Sequence, residues 1–186
     1  HPLPKSEVAF LPAQIGTENF TLVLVDLSGN LTGPPTLSFV LKGLRSLIAH
    51  LPWHHKIGLA AFDGRPDLQL IQPFTTDRQK LRAAVATLAR FQIKDRSCNL
   101  FGAVKTGLTL LEKQTVAIFP RLAMRSLILL SGSGDVANRI SHDEIYRLIE
   151  QKHKKGYLLF GVGLGTQVNS VVLEEMGQTE QFLFKD

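Results

Sequence analysis

FTLVLVDLSGN, residues Phe20–Asn30, begins as a run apolar on both faces and ends in turn chemistry. A strand reads this way when it lies at the centre of a parallel sheet with helices on both sides. Phe20–Asp26 is therefore expected to be a central strand. Asp26-Leu27-Ser28-Gly29-Asn30 is expected to be the loop at its carboxyl end.

The same pattern repeats downstream. Pro34 and Pro35 mark a helix start, where a missing amide hydrogen costs nothing. Leu37, Leu41, Leu44, Ile48 and Leu51 then follow at steps of four and three, one helical stripe. Lys56–Asp63 (KIGLAAFD) reads as a second strand. Asp63-Gly64-Arg65-Pro66-Asp67 is turn chemistry, and Leu68–Pro73 is a short returning strand, so this pair is expected as an antiparallel hairpin at one edge. Thr76 and Gln79 form a capping-box pattern before a helix carrying Leu81, Val85 and Leu88. A helix is expected over Leu100–Thr115, a strand over Arg125–Ser131, and a second capping box at Ser141 and Glu144 opening a helix that ends near Lys155. Tyr157–Gly163 is a further strand, Ser170–Met176 a short helix and Gln181–Phe184 a last strand. Strands alternating with helices in this order predict an α/β fold: a doubly wound, mostly parallel sheet with one antiparallel edge strand and helices on both faces.

A chain of 186 residues suits one well-packed domain. Residues 1–19 hold three prolines and no sustained periodicity, so they read as an extended leader or linker, with residues 20–186 as the domain. His1 in place of an initiating methionine reads as a processed or excised piece of a larger protein. No apolar run approaches the roughly 18 residues of a membrane span. Cys98 is the one cysteine, which excludes an internal disulfide and leaves the compartment open. The formal charge of +5 is spread along the chain. Its one dense run, Lys152-His153-Lys154-Lys155, falls at a helix C-terminus, where cations complement the helix dipole. Nucleic acid is not the expected partner.

Ligands of such sheets bind beyond the carboxyl ends of the strands, where the strand order reverses. The strand ending at Ser131 is the expected neighbour across that point, so its loop, Gly132-Ser133-Gly134-Asp135, should face the loop after Asp26 over one crevice. These segments resemble the von Willebrand factor A (vWA) family. Phe20–Asn30 is similar to that family's opening strand, where an Asp-x-Ser-x-Ser motif holds a divalent cation at a metal-ion-dependent adhesion site. Arg125–Asp135 resembles its fourth strand and loop, Cys98–Ala103 its threonine-bearing loop, and Tyr157–Gly165 with Leu173–Gly177 its closing section. The resemblance covers roughly residues 18–186 and implies Asp26, Ser28 and Asn30 as candidate ligands of Mg²⁺ or another divalent cation, with Cys98, Asn99, Ser133 or Asp135 nearby. It also implies a Rossmann-like adhesion or scaffolding module that binds a protein partner, at a cell surface, in a periplasm or outside the cell.

The departures bear on the cation. Asn30 stands where a second serine is usual, Cys98 where a threonine is usual, and Gly132 where an aspartate is usual. Magnesium prefers hard oxygen ligands in near-octahedral geometry. An Asn carbonyl suits it, a thiol is a poor substitute, and glycine offers no side chain. Ser97, Asn99, Ser133 and Asp135 are the residues that could compensate. In the alternative reading, Asp26 and Ser28 shape the turn through backbone amides. The expected contact surface is Leu27–Thr36, Ser97–Phe101 and Gly132–Asn138.

Enzyme motifs are incomplete. Gly161-Val162-Gly163-Leu164-Gly165 lacks the third glycine of a dinucleotide loop, since Thr166 stands there. Ser133 occupies a strand-to-helix turn without the Gly-x-Ser-x-Gly frame of a hydrolase, and His142 reads as a helix-start residue rather than its base. His50, His54 and His55 are interrupted by Pro52 and read as a polar helix end beside Trp53. Cys98 reads as a buried, inert thiol. The expected function is protein binding without catalysis, and the alternative is a hydrolase or nucleotide-dependent enzyme on the same sheet.

Overall fold

The computed structural model describes residues 17–29, 31–116, 122–164, 173 and 180–184. The elements are β1 (Thr17–Asp26), α1 (Pro34–His50), β2 (Lys56–Phe62), β3 (Gln69–Thr75), α2 (Arg78–Leu88), α3 (Leu100–Val116), β4 (Leu122–Ser131), α4 (His142–Lys154), β5 (Tyr157–Leu164) and β6 (Glu180–Phe184). They form a six-stranded sheet in the order β3-β2-β1-β4-β5-β6. Every neighbouring pair is parallel except β2 and β3, which run antiparallel with a register shift near Leu59. Pro73 lies in β3, an edge strand, where a missing amide breaks no ladder on the open side.

β1 is central and obeys the period of two. Phe20, Leu22 and Leu24 enter one core with Leu100, Val104 and Leu108 of α3 and Ile145 and Ile149 of α4. Val23 and Val25 enter the other core with Val40, Leu44 and Ile48 of α1 and Leu81, Val85 and Leu88 of α2. Each fully buried side chain of this size contributes about 1.5–3 kcal/mol, so both faces of β1 are held.

Of the boundaries that differ from the sequence reading, three have a physical cause in the structure. β1 opens at Thr17 and β4 at Leu122, each three residues earlier than periodicity marks them. The ladder between these strands carries the pairing outward, Thr17 opposite Leu122. Asp77, not Thr76, caps α2: its side chain accepts from the amides of Gln79 and Lys80, and aspartate is a strong N-cap. Ser141 does cap α4, accepting from the Glu144 amide. Glu144 does not return the bond there; its carboxylate takes Lys105 at 2.7 Å. The helix expected over Ser170–Met176 lies outside the described residues except for Leu173, which is helical and buried. The leader expected before β1 lies outside them through residue 16.

Handedness explains where the helices sit. Right-handed crossovers put α1 on one face as the chain steps from β1 to β2, and α4 on the other as it steps from β4 to β5. Among the described residues no helix covers the α1-side face of β4 and β5. There Leu44, Leu47, Ile128, Leu130, Phe160 and Val162 line an apolar groove of about 560 Å³.

Candidate functional site

The sheet order reverses between β1 and β4. At their carboxyl ends Asp26, 1% exposed, sits at the meeting of three loops. One carboxylate oxygen, Oδ1, accepts from the Ser28 amide at 2.9 Å, an Asx turn within the β1 loop. The other, Oδ2, accepts from the Ser131 hydroxyl at 2.7 Å, the Ser133 hydroxyl at 3.1 Å, the Gly132 amide at 3.4 Å and the Cys98 thiol at 3.5 Å. Ser131 ends β4 and Ser133 lies in the loop just after it, and both hydroxyls converge on one oxygen.

The β4 loop is tied equally to α3. The amides of Val136 and Ala137 both donate to the Cys98 carbonyl at 2.9 Å. Asp135 accepts from the Phe101 amide in the first turn of α3 at 2.9 Å and from the Asn138 amide at 3.0 Å. A carboxylate is favoured there by the unpaired amides of a helix start. Cys98 is buried, and burial pushes its thiol well above the usual range. It is therefore a protonated, unreactive donor, as the sequence reading expects.

The β2 loop completes the edge. Asp63 is buried and accepts from the Arg65 amide at 2.9 Å, from Arg65 Nε at 2.8 and 3.0 Å, and from the Lys94 amide at 3.0 Å. Its carbonyl takes the Asn99 amide, and Asn99 Nδ2 donates to the Arg65 carbonyl at 2.8 Å. Arg139, beyond the β4 loop, reaches across to the Gly64 carbonyl at 2.9 Å and to Asp95 at 3.4 Å. Gly64 lies so close to the next loop that a Cβ there would meet Ser97 Oγ at 2.1 Å and Asp95 at 2.4 Å.

Burial alone would raise the Asp63 carboxyl, but the Arg65 hydrogen bond and charge and the two amides outweigh it and hold it below 3.8, its ordinary value. The folded state thus holds its proton more weakly than the unfolded chain, and acid favours unfolding through this residue. The stability from Asp63 is complete above the ordinary value and is lost as pH falls through the lowered one. Urea midpoints of the wild type and Asp63→Asn should differ most near about pH 6 and converge towards about pH 3. A gap that widens in acid would refute this.

Of the residues expected at the crevice, the structure brings together Asp26, Ser28, Cys98 and Ser133. Asp135 caps α3. Asn99 turns its amide to Arg65, and its buried Oδ1, without a hydrogen-bond partner, lies over Gly102 in the first turn of α3. Ser97 donates to Asp95 at 2.7 Å. Asn30 lies outside the described residues. The reading missed Ser131, Asp63, Arg65 and Arg139. β1 and β4 pair in register through Val25 and Leu130, which places Ser131 beside Asp26.

These donors do not fit a hard divalent cation. A carboxylate oxygen has two lone pairs; Oδ2 of Asp26 is crowded by four protein donors, and Oδ1 holds the Ser28 amide. The thiol is soft and protonated, and Gly132 offers only backbone. Among the described residues no group of three or more His, Cys, Asp or Glu side chains is placed to hold a metal. The histidines disperse. His55 Nε2 pairs with Thr21 Oγ1 at 2.8 Å, His50 bonds the Ser46 carbonyl at 2.8 Å, and His54 meets Trp53 edge-on. His142 opens α4 and packs on the Tyr146 ring at 4.1 Å and the Phe101 ring at 6.0 Å. The basic run at the end of α4 is paired: Lys152 with Glu112 at 2.6 Å and Lys154 with Glu150 at 2.7 Å.

A doubly wound sheet with a buried aspartate at its switch point, rather than a phosphate-cradling glycine loop, is a Rossmann-like fold. The chain matches the model of the von Willebrand factor type A domain over residues 21–181. It belongs to that family. Solved structures agree in fold. An aerotolerance-related membrane protein from Bacteroides fragilis superposes with a TM-score of 0.69 at 13% identity, over 89% of this chain and 90% of that one. The manganese-loaded TRAP protein of Plasmodium vivax gives 0.71 at 14% identity, over 91% and 68%. Proximal thread matrix protein 1 from the mussel byssus gives 0.69 at 13% identity, over 92% and 42%. No curated protein matches the chain. Among the described residues no helix is long and apolar enough to cross a membrane.

Proposed function

We propose that this domain is a protein-interaction module, of adhesion or scaffolding type, that docks a partner protein on the loops at the carboxyl edge of its sheet. One observation carries the reading: hydrogen bonds to Asp26 and the Cys98 carbonyl knit the β1, α3 and β4 loops into one platform, and Val136, whose own amide is anchored, projects from it 66% exposed. Preorganised loops lose little entropy on binding, and an exposed apolar side chain on a fixed backbone is a good anchor. Family membership supports the same reading. The name of one fold neighbour, a byssal thread matrix protein, suits scaffolding, and that of another, an aerotolerance-related membrane protein, favours a place at a cell envelope.

The enzyme reading finds less support. Ser133 is 7% exposed, and its hydroxyl donates to Asp26 rather than facing the cleft as a nucleophile.

The test is crosslinking-coupled affinity purification from cells expressing the full-length protein, with two variants matched in chemistry. Val136→Asp alters the proposed platform. Leu122→Asp alters a residue 75% exposed at the opposite edge of the sheet. Val136→Asp is expected to lose at least about tenfold in recovered partner, the loss of one apolar anchor, while Leu122→Asp retains it. The reverse pattern, or equal retention by both, would overturn the proposal.

A further inference from the structure

Where a divalent cation would bind, protein donors already engage both oxygens of Asp26. We infer that in this chain hydrogen bonds to Asp26, and not a bound cation, hold the switch-point loops in place, so the edge reaches its docking shape without metal. The inference concerns the same edge as the proposed docking but stands or falls independently of any partner.

Three observations carry it. First, both oxygens of Asp26 are engaged from within, Oδ1 by the Ser28 amide and Oδ2 by two hydroxyls, an amide and a thiol. A cation would have to displace the Ser131 and Ser133 protons from Oδ2 and regain their oxygens as ligands. Second, the neighbouring polar groups are directed elsewhere: Asp135 caps α3, Ser97 bonds Asp95, and Asn99 turns its Nδ2 to Arg65 and its Oδ1 over Gly102 in the first turn of α3. Third, the chemistry at the remaining positions opposes a hard ion. Cys98 presents a buried thiol, and Gly132 presents no side chain. Charge-assisted bonds from hydroxyls and amides can stabilise a buried carboxylate without a counter-ion.

The experiment uses thermal melting and isothermal titration on the purified chain, with MgCl₂, MnCl₂ and EDTA as probes. A ligand at about a hundred times its dissociation constant would raise the Tm of a domain this size by about 5–10 °C. The wild type is expected to show no saturable heat and a Tm constant within about 1 °C across the three conditions. Ser131→Ala, which removes the shortest bond to Asp26, is expected to lower the Tm equally in EDTA and in magnesium. Saturable metal binding by the wild type, or a loss in Ser131→Ala that magnesium alters, would overturn the inference. Loss of partner binding with metal indifference intact would instead count against the docking proposal alone.

Discussion

Truncation of Asp26 to alanine is expected to lower the unfolding free energy by about 3 kcal/mol, measured by urea denaturation against the wild type. The residue sits at the rim of the sheet and would ordinarily tolerate change. Here its loss removes the acceptor of Ser28, Ser131, Gly132, Ser133 and Cys98 together. Ser28, Ser131 and Ser133 are themselves buried, so bulk water cannot replace the carboxylate without opening the loops. Each stranded donor costs about 1–3 kcal/mol before relaxation, and partial rearrangement brings the sum down to the expected figure. Asp26→Asn should fall between the two proteins. Its amide keeps an oxygen for one side but turns donors against donors on the other. A change below about 0.5 kcal/mol for Asp26→Ala, the size of an ordinary surface substitution, would mean that the loops hold together by other means.

Phe20→Ala is expected to cost about 3–5 kcal/mol, as buried Phe truncations do. Phe20 is fully buried at the centre of β1. Its ring meets Phe74 of the edge strand β3 edge-on at 5.6 Å, and the Lys56 ammonium lies 4.9 Å from its centroid. The cavity would open between the sheet and the α3 face, where neither backbone can collapse. Trp53 is the larger side chain and the chain's one tryptophan. It stands 82% exposed in the α1–β2 loop, and Trp53→Ala should stay within about 0.5 kcal/mol. Equal effects of the two substitutions in urea melts would contradict the central placement of β1.

These expectations show which features the sequence carries legibly. β1 was readable because a strand buried on both faces has no polar alternation to disguise it, and α1 because two prolines and a five-residue stripe agree. The adjacency of β1 and β4 followed from the winding rule, and it places Asp26 against the β4 loop. Strand starts were less legible. Thr17–Asn19 and Leu122–Met124 pair with each other as β-ladder, and a pairing partner leaves no periodic mark in either strand alone. The site was half legible. Asp26, Ser28, Cys98 and Ser133 were named because they fall at motif positions. Ser131 was hidden as the last residue of an apolar strand. Asp63 was recognised for its turn, which it forms, but its bond from the Lys94 amide depends on a loop some thirty residues away in sequence. Arg139 reaches the Gly64 carbonyl across an even longer separation. Long-range polar contacts of this kind follow from coordinates, not from spacing.

The measurement that bears most directly on the account is a double-mutant cycle between Asp26→Ala and Ser133→Ala in urea. Their side chains meet at 3.1 Å although they stand more than a hundred residues apart. Groups that share a hydrogen bond couple by about 0.5–3 kcal/mol, whereas distant ones add within about 0.3–0.5. The account predicts a coupling of at least about 1 kcal/mol. Strict additivity would place the β1 and β4 loops apart and contradict it.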